Sequence, residues 1–134
     1  MSPEIEAALR LLLSAVLGAA IGFQRELAHK PAGLRTHILI CVGSALFTVV
    51  SVLGFSSTVD PSRVAAGVVT GIGFIGAGVI MRGARGDRVV GITTAASVWI
   101  TAAIGIAAGV GLYIISVAVT VLAVLVLFLP RVKG

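Results

Sequence analysis

The chain has 134 residues, 58% of them hydrophobic and only 11% charged, with a formal net charge of +5. A chain this short and this apolar has no room for a separate catalytic or ligand-binding domain in water, and it reads as a single membrane bundle. Cys41, the lone cysteine, excludes an internal disulfide and a cysteine-based metal cluster, while the basic residues flank apolar runs, where they set orientation rather than bind nucleic acid.

The first apolar run covers about residues 5–24. Glu6 and Arg10 stand one helical turn apart and can pair near a membrane surface. The start Met1-Ser2-Pro3-Glu4-Ile5-Glu6 is acidic where a cleaved leader would be basic, so this span is expected to be retained. Pro31 and Gly33 end it within the basic loop from Arg25 to Arg35. A second span covers about residues 36–55, and after a turn Asp60 or Ser62 is placed to cap a third, about 63–81. Arg82, Arg85 and Arg88 mark the next loop, and residues 89–130 then carry no charge at all. As one helix at about 1.5 Å per residue, that stretch would be roughly twice as long as a ~30 Å hydrocarbon core is thick. It divides at Gly109-Val110-Gly111 into spans of about 92–108 and 112–129. The expected fold is an all-α integral membrane protein, a bundle of about five transmembrane helices forming a single domain over residues 1–134.

Charge orients this bundle independently of hydropathy. Arg25, Lys30, Arg35, Arg82, Arg85, Arg88, Arg131 and Lys133 fall on one side of it, and only Arg10 and Arg63 on the other. The positive-inside rule therefore predicts an outside N-terminus and a cytoplasmic C-terminus.

The third span is unusually rich in glycine. Gly67, Gly71 and Gly78 share one helical stripe, with Gly73 and Gly76 around the other side. Such bare faces predict close helix packing; the sharper alternative is a helix unwound at Gly71–Gly78 to expose backbone to a cavity. In the fourth span Thr93, Thr94, Ser97 and Thr101 make a hydroxyl edge suited to bonding across helices. No Asp or Glu lies deep in any span, whereas a divalent-cation carrier would be expected to bring hard oxygen ligands near the midplane. His29 and His37 flank the first basic loop without a second ligand type at metal-site spacing, and read as solvated or interfacial side chains. No metal, cofactor or enzymatic activity is expected.

Several ordered blocks resemble the MgtC/SapB family of membrane proteins. They are Arg25-Glu26; Lys30-Pro31-Ala32-Gly33-Leu34-Arg35-Thr36-His37; Asp60-Pro61-Ser62-Arg63-Val64-Ala65-Ala66; Gly71-Ile72-Gly73-Phe74-Ile75-Gly76-Ala77-Gly78-Val79-Ile80; and Gly91-Ile92-Thr93-Thr94-Ala95-Ala96-Ser97-Val98-Trp99. The resemblance implies a multi-pass protein of the bacterial inner membrane, linked to growth or virulence under low magnesium. It further implies a regulator of another membrane complex, such as the F-type ATP synthase, with an oligomeric transporter or channel for Mg²⁺ or another solute as the alternative. Three departures stand out: Gln24 where an acidic residue often precedes Arg-Glu, Gly67 where a polar residue is common, and a sequence that stops after the fifth span, as in a short member lacking the C-terminal soluble domain.

The expected functional surface comprises Arg25, Glu26, Lys30 and Arg35 with Asp60 and Arg63. Glu26 is the only carboxylate of the first basic loop. The expected partners are the lipid bilayer and either a second copy in a dimer or another membrane complex, without nucleic acid.

Overall fold

A computed structural model of the chain describes residues 2–55, 58–82 and 89–130. It contains helices α1 (Pro3–Leu27), α2 (Leu34–Leu53), α3 (Ser62–Val79), α4 (Ile92–Gly109) and α5 (Tyr113–Leu127), plus a short antiparallel pairing of β1 (Met81–Arg82) with β2 (Val89–Val90) between α3 and α4. The first four helices are long and apolar enough to cross a membrane, and α5, at 15 residues, is shorter. The all-helical membrane bundle expected from the spacing of charges is the observed fold. Ser56, Ser57, Arg85, Asp87, Arg88, Arg131 and Lys133, on which parts of the sequence reading rest, lie outside the described residues.

Each helix boundary has a local cause. Ser2 Oγ accepts the Ile5 N–H at 3.2 Å, Pro3 opens α1 where no backbone donor is needed, and Glu4 and Glu6 complement the positive helix end. After α1, Lys30 N–H bonds Arg25 C=O and His29 N–H bonds Glu26 C=O, each at 3.1 Å. This two-bond cap needs a left-handed residue, and His29 supplies it at φ 56°. The same cap ends α4, where Gly111 takes φ 90° while Leu112 N–H bonds Ala107 C=O. Before α3, Asp60 Oδ1 accepts both the backbone N–H of Ser62 (2.9 Å) and its hydroxyl (2.7 Å). Those bonds hold the exposed Asp60 carboxyl below the usual carboxylate range.

Long-range bonds fix the order of the layers. Arg10 of α1 reaches Gly109 at the end of α4, while Arg25 reaches Thr94 at its start, so α1 and α4 are antiparallel. Gln24 Nε2 donates to Leu127 C=O at 3.2 Å, which brings the end of α5 to the end of α1. The N-terminus of α1 and the C-terminus of α5 therefore lie at opposite ends of the bundle.

The core is built around α2, wedged between α1 and α4. A Cβ at Gly18 would lie 2.7 Å from His37 C=O, and one at Gly22 would lie 2.8 Å from Leu34 Cα. On the other side, a Cβ at Gly105 would overlap Ser44 Oγ and Cys41 C=O, and one at Gly109 would lie 2.8 Å from Thr48 Cβ. Two small-xxx-small pairs, one per wall, thus admit α2 at backbone distance. Leu17, Ile21, Cys41, Ile104 and Ala123 fill the space between them.

The third helix corrects the sequence reading. Its only buried residues are Ile72 and Gly76, and Gly76 faces Ala95 of α4 at ordinary contact distance. A Cβ at Gly67, Gly71, Gly73 or Gly78 would meet nothing within 4 Å. Within this chain, then, only one of the five glycines packs against a helix, and the close packing expected of α3 is done by α1 and α4. Nor is α3 unwound at Gly71–Gly78: it is helical from Ser62 to Val79.

Candidate functional site

The end of the bundle where α1 meets α2 and α4 begins gathers most of the sequence-predicted polar residues. Glu26, in the last turn of α1, turns its Oε1 onto the N–H of Leu34 at 2.9 Å. It thereby caps α2, whose own N-cap Gly33 offers no side chain. A Cβ at Gly33 would overlap that carboxylate, which explains why glycine stands there. Within the block Lys30–Arg35, Ala32 is buried and packs with Ile72, Val98 and Ala102, while Lys30 and Arg35 are exposed.

Arg25, expected on the functional surface, is buried. Its side chain folds into the bundle and is 3% exposed, and its Nη2 donates to Thr94 Oγ1 at 2.9 Å. Its Nε is buried without a partner among the described residues. His37 is fully buried too, against the reading of both histidines as solvated or interfacial, whereas His29 is exposed. His37 Nδ1 lies 2.8 Å from Gly33 C=O and Nε2 lies 2.9 Å from Ser97 Oγ.

Proton counting fixes how these groups can be arranged. The Gly33 carbonyl only accepts, so Nδ1 carries a hydrogen. Ser97 has one hydroxyl hydrogen, and its oxygen lies 2.7 Å from Thr94 C=O as well as beside Nε2. With neutral His37 the hydroxyl donates to Nε2; with imidazolium it must turn to Thr94 C=O.

The hydroxyl edge of α4 faces inward, with Thr94, Ser97 and Thr101 buried and Thr93 exposed. It links helices only at its start, through Arg25 and His37. Deeper in, Thr101 donates to Ser97 C=O at 2.6 Å, and Ser14, Ser44, Thr48, Ser116 and Thr120 likewise bond carbonyls of their own helices. Among the described residues no carboxylate is buried and no group of three His, Cys, Asp or Glu side chains could hold a metal ion.

Asp60 and Arg63 do not join this site. They stand at the start of α3, an 18-residue helix whose far end leads to α4, so about 27 Å of helix separates them from Arg25. The six residues proposed as one surface therefore divide between two ends. At the Asp60 end, Arg10 draws three partners together: Nη1 donates to Gly109 C=O (3.0 Å), Nη2 to Glu6 (2.9 Å) and Nε to the Tyr113 hydroxyl (3.2 Å). A cation on the last carbonyls of α4 complements its negative end. Between the two ends, α2 and α3 splay apart around an open apolar groove of about 680 Å³, lined among others by Gly43, Phe47, Gly67, Gly71 and Ile75.

A model of the MgtC family matches residues 11–133. The chain is 50% identical over 126 residues to the "Putative magnesium transporter YhiD" of Escherichia coli (strain K12), an alignment covering 89% of this chain and 58% of that protein. It is 50% identical over 97 residues to "Protein MgtC" of Brucella suis biovar 1 (72% of this chain, 40% of that one), and 41% identical over 112 residues to "Protein SapB" of Bacillus subtilis (78% and 48%). The chain thus spans about half the length of the curated relatives it matches. No solved structure matches it. The matched range contains the Glu26 cap, the Arg25 and His37 cluster and the start of α4, and the chain belongs to the MgtC family.

Proposed function

We propose that the protein is an inner-membrane component of bacterial magnesium homeostasis or low-magnesium adaptation that acts on another membrane complex, such as the F-type ATP synthase, rather than carrying the ion itself. The observation that carries this reading is the interior: its deeper hydroxyls are satisfied by carbonyls of their own helices and no buried carboxylate is available among the described residues to replace the water of Mg²⁺. The open face of α3, bare at Gly67, Gly71, Gly73 and Gly78, supports association with a second copy or a partner span. The transporter reading draws on the name of the Escherichia coli relative. Flux of Mg²⁺ into liposomes holding only this protein separates the two: the expected result is no saturable uptake, together with restored low-magnesium growth when the chain is expressed in a deletion strain. Saturable uptake would reverse the ranking.

We further propose that the end bearing Arg25, Lys30 and Arg35 faces the cytoplasm, since Arg10 and Arg63 are the only cations of the opposite end. A reporter active only in the cytoplasm should work when fused after Lys133, and one active only in the periplasm when inserted at Ser57. Activity of both fusions on the same side would refute the orientation.

A further inference from the structure

We propose that the buried guanidinium of Arg25 and the start of α4 form a binding site for a phosphate group, carried by a phospholipid headgroup or free in solution. Three observations converge on it. First, Arg25 is a cation withdrawn from solvent, and Thr94 Oγ1, a neutral acceptor, is the one partner it has among the described residues. Burial of a guanidinium with no anionic partner among the described residues is costly, and the unpartnered Nε shows that its donors are not all used.

Second, Thr94 lies in the first turn of an 18-residue helix, so the cation sits at that helix's positive end, the arrangement that electrostatics disfavours. Its N-cap residue, Gly91, has no side chain to cap with, and the amides of Ile92, Thr93 and Thr94 precede the first intrahelical bond, Ala95 N–H to Gly91 C=O. A tetrahedral oxyanion satisfies both halves at once, accepting from the guanidinium and from first-turn backbone amides that have no acceptor among the described residues.

Third, the neighbourhood is cationic and its carboxylate is occupied. Lys30 and Arg35 lie exposed in the adjoining loop, and Glu26, the only acidic residue there among those described, is engaged on Leu34 N–H. Arg25 is two residues from the end of α1, at the level where the span leaves the hydrocarbon and phospholipid phosphates lie. The inference stands apart from the magnesium reading, because it concerns a ligand of this end of the bundle whatever process the protein serves.

The test uses the full chain purified in detergent and in vesicles. Inorganic phosphate at constant ionic strength should raise the unfolding temperature saturably, read by the fluorescence of Trp99, and should shift the Arg25 Nε–H signal in ¹⁵N NMR; chloride should do neither. In the lipid arm, vesicles of phosphatidylglycerol are compared with vesicles of monogalactosyl diglyceride, which has no phosphate. A response to the phospholipid alone assigns the headgroup as ligand, and a response to free phosphate assigns the soluble anion. Arg25→Lys should weaken the response at least tenfold and Arg25→Gln should abolish it. Should Arg25→Gln fail to fold, the NMR shift in the unaltered protein and the Arg25→Lys comparison still decide. Absence of a saturable response in both arms would overturn the proposal. So would an Asp87→Asn variant that first acquires a phosphate response the unaltered chain lacks, because the counter-charge would then be internal.

Discussion

Alanine at Gly105 or Gly18 is expected to destabilise the protein by about 3 kcal/mol or more, whereas alanine at Gly67, Gly71, Gly73 or Gly78 should leave stability unchanged or slightly higher. The first two positions admit no Cβ: at Gly105 it would overlap Ser44 and the Cys41 carbonyl, and at Gly18 it would lie 2.8 Å from Cys41 Cβ. The contacts are largely backbone, so α2 as a whole would have to retreat, which strips contacts along both walls. The α3 positions face open space, and there alanine gains helix propensity at no packing cost. Unfolding in graded detergent, followed by circular dichroism on all six variants, measures the difference. If the two groups lose stability equally, α2 is not held as described.

The second large effect is expected at His37. Alanine there removes two hydrogen bonds, leaves Gly33 C=O and Ser97 Oγ to find new partners, and opens a cavity beside buried Arg25. At about 1 kcal/mol per bond plus the cavity, the loss is about 3–4 kcal/mol. His37→Asn, which keeps a donor for the Gly33 carbonyl, should lose about half as much. The same proton count predicts a hydrogen on Nδ1, visible in ¹⁵N spectra of the labelled ring. Finding hydrogen on Nε2 alone would contradict the assigned contact with Gly33.

Hydropathy and charge placed the helices well because both act residue by residue: a span must be apolar over its length, and a loop must carry the cations. Packing partners are a different matter. Glycine density drew attention to α3, where four of the five glycines face open space, although Gly18-Ala19-Ala20-Ile21-Gly22 and Gly105-Ile106-Ala107-Ala108-Gly109 each display a small-xxx-small pair in plain sequence. What decided between these stripes was which helix lies opposite, and that is a property of the assembled bundle. Burial of Arg25 and His37 was similarly hidden. A charged or titratable residue beside a loop ordinarily points to water, and only the placement of Thr94 and Ser97 across from them turns both side chains inward. The family blocks did point to this end of the bundle, though they joined it to Asp60 and Arg63, which the length of α3 keeps apart.

The wedging of α2 has a consequence for how the chain is made. Helices leave the insertion machinery in sequence order, so α2 first meets α1 and can close the Gly18 and Gly22 contacts at once. Its second wall, Gly105 and Gly109, does not yet exist. Throughout the synthesis of α3, the face of α2 that carries Ser44 and Thr48 is turned to lipid, with its hydroxyls already bonded to their own helix. Those internal bonds make the waiting period tolerable, since no polar group is left bare in hydrocarbon. When α4 arrives it must close on the open side of α2 while α3 stands aside, and the few buried residues of α3 are what leave it free to do so.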